Sequence, residues 1–152
     1  MTPWSVAKKA FEVDGSLTDV YCLETNEKDW NRFLAWVAHG QIPHRFQVDG
    51  QQAELPQSIA QIHQLSSISA LTLALKTAFG DLNCHFFSAD ELELHLDPRD
   101  IASERNYLQL VEVLQEIADT LGKPLVVAPE SMPERAVFAI EPQARDDGPF
   151  HS

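Results

Sequence analysis

Three stretches of this chain alternate apolar and polar residues almost without error, and this period of two constrains the fold more than any other feature. Leu71, Leu73 and Leu75 alternate with Thr72, Ala74 and Lys76. Leu82, Cys84 and Phe86 continue the pattern, and Leu92, Leu94 and Leu96 complete it. Successive side chains of an extended chain point to opposite faces, so each stretch reads as a strand with one apolar face. Turn signals at Gly80-Asp81 and over Ser88–Asp90 join the three as consecutive hairpins.

Other segments fill in around this nucleus. Residues 44–55 read as a hairpin about Asp49-Gly50, a pair that tolerates the positive φ of a tight turn. His44 is then expected opposite Leu55. A strand over Asp19–Glu24 and two last strands over 124–128 and 136–142 complete the β content, and the residues up to Val13 read as extended. In the first main helix, about 26–39, Trp30, Phe33, Leu34 and Val37 recur at i, i+3, i+4, i+7, with Asn26 or Thr25 as cap and Gly40 as stop. A short helix covers 57–64, with Ile59 and Ile62 facing inward. The longest, about 101–121, carries the stripe Tyr107, Leu110, Val111, Leu114, Ile117, Ala118 and Leu121, ended by Gly122 and Pro124. Hairpins separated by helices predict an α+β fold: an antiparallel sheet with the two main helices packed on its Leu-rich face. The expected organisation is a single domain over 1–143 and a flexible tail over 144–152.

Charge excludes several functions. Among 152 residues there are 23 Asp+Glu against 11 Lys+Arg, a net charge of −12. A general basic surface for nucleic acid is absent, as is one for an anionic membrane. Between Phe46 and Pro98 the only Lys or Arg is Lys76. No run approaches the ~18 apolar residues of a membrane span, and the first residues lack the basic-then-apolar order of a leader, which predicts residence in the cytoplasm. Cys22 and Cys84 form no C-x-x-C pair and read as buried free thiols.

The sharpest question lies on the other side of the last alternating run. Opposite its leucines stand Glu91, Glu93, His95 and Asp97. A two-residue turn at Gly80-Asp81 sets Lys76 across from His85. A three-residue loop over Ser88–Asp90 sets His85 opposite Glu93 and Asn83 opposite His95, gathering His85, Glu93, His95, Glu91 and Lys76. Such a cluster can hold a metal through His85, Glu93 and His95. It can also do acid–base chemistry, dock a basic partner around an exposed Phe87, or stand as a solvated face of cross-strand charge pairs. No catalytic or cofactor-binding motif accompanies it, and no cofactor is expected. On the long helix Glu112, Glu116 and Asp119 lie at i, i+4, i+7 away from the apolar stripe, and Trp36 falls off the stripe of the first helix.

These features predict a non-enzymatic acidic interaction protein. Small cytoplasmic immunity proteins, which occlude a toxin's active site by acidic complementarity, share this general composition, a likeness that no motif carries. The expected partner is a basic toxin acting in the cytoplasm, and the expected binding residues are Glu91, Glu93, Asp97, Glu112, Glu116, Asp119, Trp36 and Phe87. The alternatives are an adaptor or chaperone for a secreted effector, and a metal-dependent hydrolase centred on His85, Glu93 and His95.

Overall fold

Period-two alternation becomes one antiparallel sheet. The computed structural model describes residues 1–143, and the expected tail, 144–152, lies outside the described residues. Helix α1 (Trp4–Ala7) runs into a 3-10 turn (Lys8–Phe11), followed by β1 (Thr18–Leu23), α2 (Glu27–His39), β2 (His44–Val48) and β3 (Gln51–Gln52). Then come α3 (Ile59–Ser66), β4 (Leu71–Lys76), β5 (Asp81–Ser88), β6 (Glu91–Leu96), α4 (Glu104–Leu121), β7 (Leu125–Pro129) and β8 (Phe138–Ile140). The eight strands are ordered β3-β2-β4-β5-β6-β1-β7-β8, and every neighbouring pair is antiparallel. The α+β class and the helix layer follow the sequence pattern.

One face of the sheet makes the core. Leu73, Leu75, Leu82, Cys84, Leu92, Leu94, Leu96, Val20 and Cys22 pack with Trp30, Phe33, Leu34 and Val37 of α2 and with the buried stripe of α4. That stripe includes Val113 where the sequence pattern pointed to Val111, which is only partly buried. Helix α2 starts at a capping box: the Asn26 side chain accepts from the Asp29 N–H, and the Asp29 carboxylate accepts from the Asn26 N–H. Such a cap stabilises a helix start by about 1 kcal/mol. Asp29, itself buried, is also met by Lys123 Nζ at 2.6 Å, which ties the start of α2 to the chain that follows α4. Helix α4 ends on Gly122 at φ +66°, a left-handed C-cap that costs a side-chain-bearing residue strain.

Three expectations are corrected. Residues 4–11 are helical, not extended: Pro3 precedes the first turn, and Trp4, Ala7 and Phe11 recur at helical spacing, with Trp4 against Tyr107 and Phe11. The β4–β5 connection is not a two-residue turn. Thr77 Oγ1 bonds the Gly80 carbonyl and Lys76 pairs with Asp81, so Leu75 faces Leu82 and Leu73 faces Cys84. Lys76 therefore forms an ion pair with Asp81 at 3.0 Å and stands away from His85. The register is displaced by an even number of residues, which is why the buried face stays the same. Finally, the hairpin about Asp49-Gly50 has the expected register, with Val48 opposite Gln51 and Gln47 opposite Gln52, but β3 ends at Gln52, so no ladder pairs His44 with Leu55.

Leu94 sits in the middle of β6, fully buried between sheet and helices. Leu94→Ala is expected to lower the unfolding free energy by about 2–5 kcal/mol, read from urea denaturation, by removing apolar contacts and leaving a cavity.

Candidate functional site

The second face of the sheet carries the polar cluster, and three strands place it. Side by side in one row stand His85 of β5, Glu93 of β6, Tyr21 of β1 and Val126 of β7. The next row holds Asn83, His95, Asp19 and Ala128. The pairings His85–Glu93 and Asn83–His95 were expected from the sequence, but the device that achieves them differs. The turn is Ala89-Asp90, with Ser88 opposite Glu91, and a register shift between His85 and Ser88 absorbs the extra residue. Thr25 holds that turn through its N–H to the Asp90 carbonyl and its hydroxyl to the Ala89 carbonyl. The bulge lets both phenylalanines be used. Phe86 turns in toward Trp30, with ring centroids 5.8 Å apart. Phe87 turns out, 76 % exposed, and stacks on His85 at 4.9 Å with planes within 10°.

Asp19 and Tyr21 are the anchors that sequence reading did not reach. Although they lie on the face away from the helices, they are only 4 % and 2 % exposed. Tyr21 Oη donates to Asp19 Oδ2 at 2.8 Å, and the Ser131 N–H donates to the same oxygen at 2.8 Å. The segment after β7 therefore closes over the carboxylate. Beside it Glu130 Oε1 accepts the Leu17 N–H at 2.7 Å. The available signal was an aspartate between Thr18 and Val20 in a strand otherwise fit for burial on both faces. Its meaning depended on β1 lying next to β6, and the two are far apart in sequence.

Burial sets the protonation states. The Tyr21 phenol is held above its usual range, first by burial and then by the Asp19 carboxylate. Glu93 is raised by burial and by repulsion from Asp19. His85 is lowered by burial, against an opposing pull from Asp19 and Glu130. His95 is lowered by burial and by His85. The two rings lie 4.2 Å apart and are hydrogen-bonded, His95 Nδ1 to His85 Nε2. Burial also pushes the Cys84 thiol up and Cys22 to about 11, so neither supplies a thiolate at neutral pH.

The remaining expected residues are dispersed. Glu91 and Glu93 join the cluster, with Leu23 opposite Glu91 and 46 % exposed. Asp97 caps the short turn Pro98–Asp100 and is forked by Arg99 at 2.7–3.1 Å. Glu112, Glu116 and Asp119 lie on α4, in the layer beyond the core. Asp119 accepts from Gln115 and from the Gln143 N–H. Trp36 is partly buried at the rim of the core, 6.0 Å from Phe33. Among the described residues no three His, Cys, Asp or Glu side chains are arranged to hold a metal ion. No helix among them is long and apolar enough to cross a membrane. No protein-family model, curated protein or solved structure matches the chain.

What this arrangement offers is a sheet face with an aromatic projection, a buried hydrogen-bonded polar centre and acidic neighbours. Its histidines also give it a pH signature. Their pKa values are lowered from 6.5, so the folded chain binds fewer protons than the unfolded one and stability falls as pH drops below that value. Glu93 works in the opposite sense: its pKa is raised from 4.5, so its penalty is relieved as the pH falls through the raised value. The urea midpoint is expected to fall between about pH 7 and about pH 5. That slope should flatten in His85→Gln/His95→Gln and steepen in Glu93→Gln.

Proposed function

We propose that the chain is a non-enzymatic interaction protein, an immunity-type inhibitor that docks a basic toxin in the cytoplasm on the sheet face that carries Phe87. One observation carries the reading: Phe87 stands 76 % exposed on the sheet face opposite α2 and α4. Exposed aromatics of this kind act as anchors, because burying a ring removes much apolar area at small entropic cost. Leu23 adds apolar surface nearby, Glu91 and Glu93 border it, and the charge of Glu130 reaches His85 beneath Phe87. None of these three glutamates forms an ion pair among the described residues. Unneutralised acids beside an aromatic suit a partner rich in Lys and Arg, and a net charge of −12 steers such a partner from a distance.

Glu93 supports the same reading through its energetics. It is a partly buried carboxylate beside Asp19, and both burial and repulsion disfavour its charge. At neutral pH the charged form of Glu93 is therefore disfavoured in the folded chain, and a cation from a partner would offset that. Residues kept at a cost to stability are common where binding demands them.

The test begins with capture from a lysate of the source organism at low salt, followed by purification of the bound protein and titration against it. Phe87→Ala is expected to weaken binding by about thirtyfold, equivalent to about 2 kcal/mol. Glu91→Lys/Glu93→Lys should slow association, while Glu93→Gln should weaken binding yet raise the melting temperature. The captured protein's own activity should fall in the complex. Binding indifferent to Phe87 and both glutamates would refute the assignment of this face. A partner whose activity survives in the complex would make the chain an adaptor rather than an inhibitor.

A further inference from the structure

A second surface lies on the other side of the molecule, where α4 meets the sheet edge formed by β8. Among the described residues no strand pairs with β8 beyond β7, so the outward backbone groups of Phe138–Ile140 have no strand partner. An edge of this kind is a template for another strand. Beside it runs a groove of about 870 Å³, floored by Leu108, Val111, Ala139 and Ile140. Leu108 is 44 % exposed there, although it belongs to a helix whose other leucines are buried. Side chains of α4 that line the groove tether the chain leaving β8: Gln115 Nε2 donates to the Glu141 carbonyl at 2.8 Å, and Asp119 accepts the Gln143 N–H at 2.8 Å.

Charge decides what fits. Glu112, Glu116, Asp119 and Glu141 line the groove together with Met1 and Thr2, no Lys or Arg does, and none of these four acids is in an ion pair among the described residues. Glu112 and Glu116 are one helical turn apart and repel each other. A second copy related by a two-fold axis would bring these acids against their own equivalents, which disfavours self-association.

We infer that the groove between α4 and β8 binds an extended, lysine- or arginine-bearing segment of a partner protein, added as a strand along β8. The segment's backbone would satisfy the free edge, its apolar residues would cover Leu108 and Val111, and its cations would meet Glu112, Glu116 and Glu141. This surface is separate from the face that carries Phe87 and does not depend on its role.

The probe is a fluorescein-labelled peptide of about eight residues alternating Lys and Val, titrated by anisotropy against the full chain. Saturable binding is expected, weakening as salt rises from about 0.05 M to about 0.3 M. Glu112→Gln/Glu116→Gln should reduce the affinity about tenfold, and Phe87→Ala should leave it unchanged. Amide exchange at 138–140 should slow when the peptide binds. The inference is overturned if no saturable binding occurs, or if binding follows Phe87 and not the α4 glutamates. It is equally overturned if the β8 amides gain no protection. A concentration-dependent dimer broken by Glu112→Gln/Glu116→Gln would identify a second copy as the occupant and would also overturn it.

Discussion

Leu92, Leu94 and Leu96, locked between the sheet and its helices, set the orientation of everything else on β6. Their burial forces Glu91, Glu93 and His95 onto the opposite face, and no slip of one residue is tolerated, because it would drive three leucines into water. Each fully buried leucine favours this arrangement by about 1.5–3 kcal/mol. That outweighs the modest penalties of crowding carboxylates and histidines on the far side. The polar face is thus a consequence of the apolar one.

That far face is more than a solvated surface. Asp19 and Tyr21 are nearly as buried as the leucines behind them, and a hydrogen bond between them together with the Ser131 N–H holds them in place. Removing the Asp19 acceptor would leave a buried phenol and a backbone N–H without partners, a loss of about 1–3 kcal/mol for each. The carboxylate also sets the local field: it opposes ionisation of Tyr21 and Glu93 and favours protonation of both histidines. The centre of the face is buried and hydrogen-bonded, and its rim, at Phe87 and Leu23, is exposed.

Strand identity was legible wherever the alternation was strict, and so was the pairing of His85 with Glu93 and of Asn83 with His95. The route to that pairing was not legible. A bulge at Phe86-Phe87 and a longer loop with its own register are equivalent on paper, and the structure has the bulge, with Thr25 and Ser88 hydrogen-bonded to the Ala89-Asp90 turn. The β4–β5 register went astray because Thr77 supplies a side-chain hydrogen bond that turn statistics for Gly-Asp do not contain. The helix at Trp4–Ala7 was missed although Trp4, Ala7 and Phe11 carry its spacing, because a helix this short depends on packing against Tyr107 more than on propensity. Asp19 was out of reach for a different reason. Its role arises from β1 lying between β6 and β7, a long-range pairing that local periodicity does not encode.

Hydroxyl-radical footprinting of the chain, alone and with its captured partner, tests most directly whether the sheet face that carries Phe87 is the binding surface. Phe87 and Leu23 should react readily in the free chain, while Leu94 and Phe46 should be shielded throughout. In the complex Phe87 and Leu23 should become protected. Phe87 remaining as reactive in the complex as in the free chain would contradict the account, whatever else on the surface is shielded.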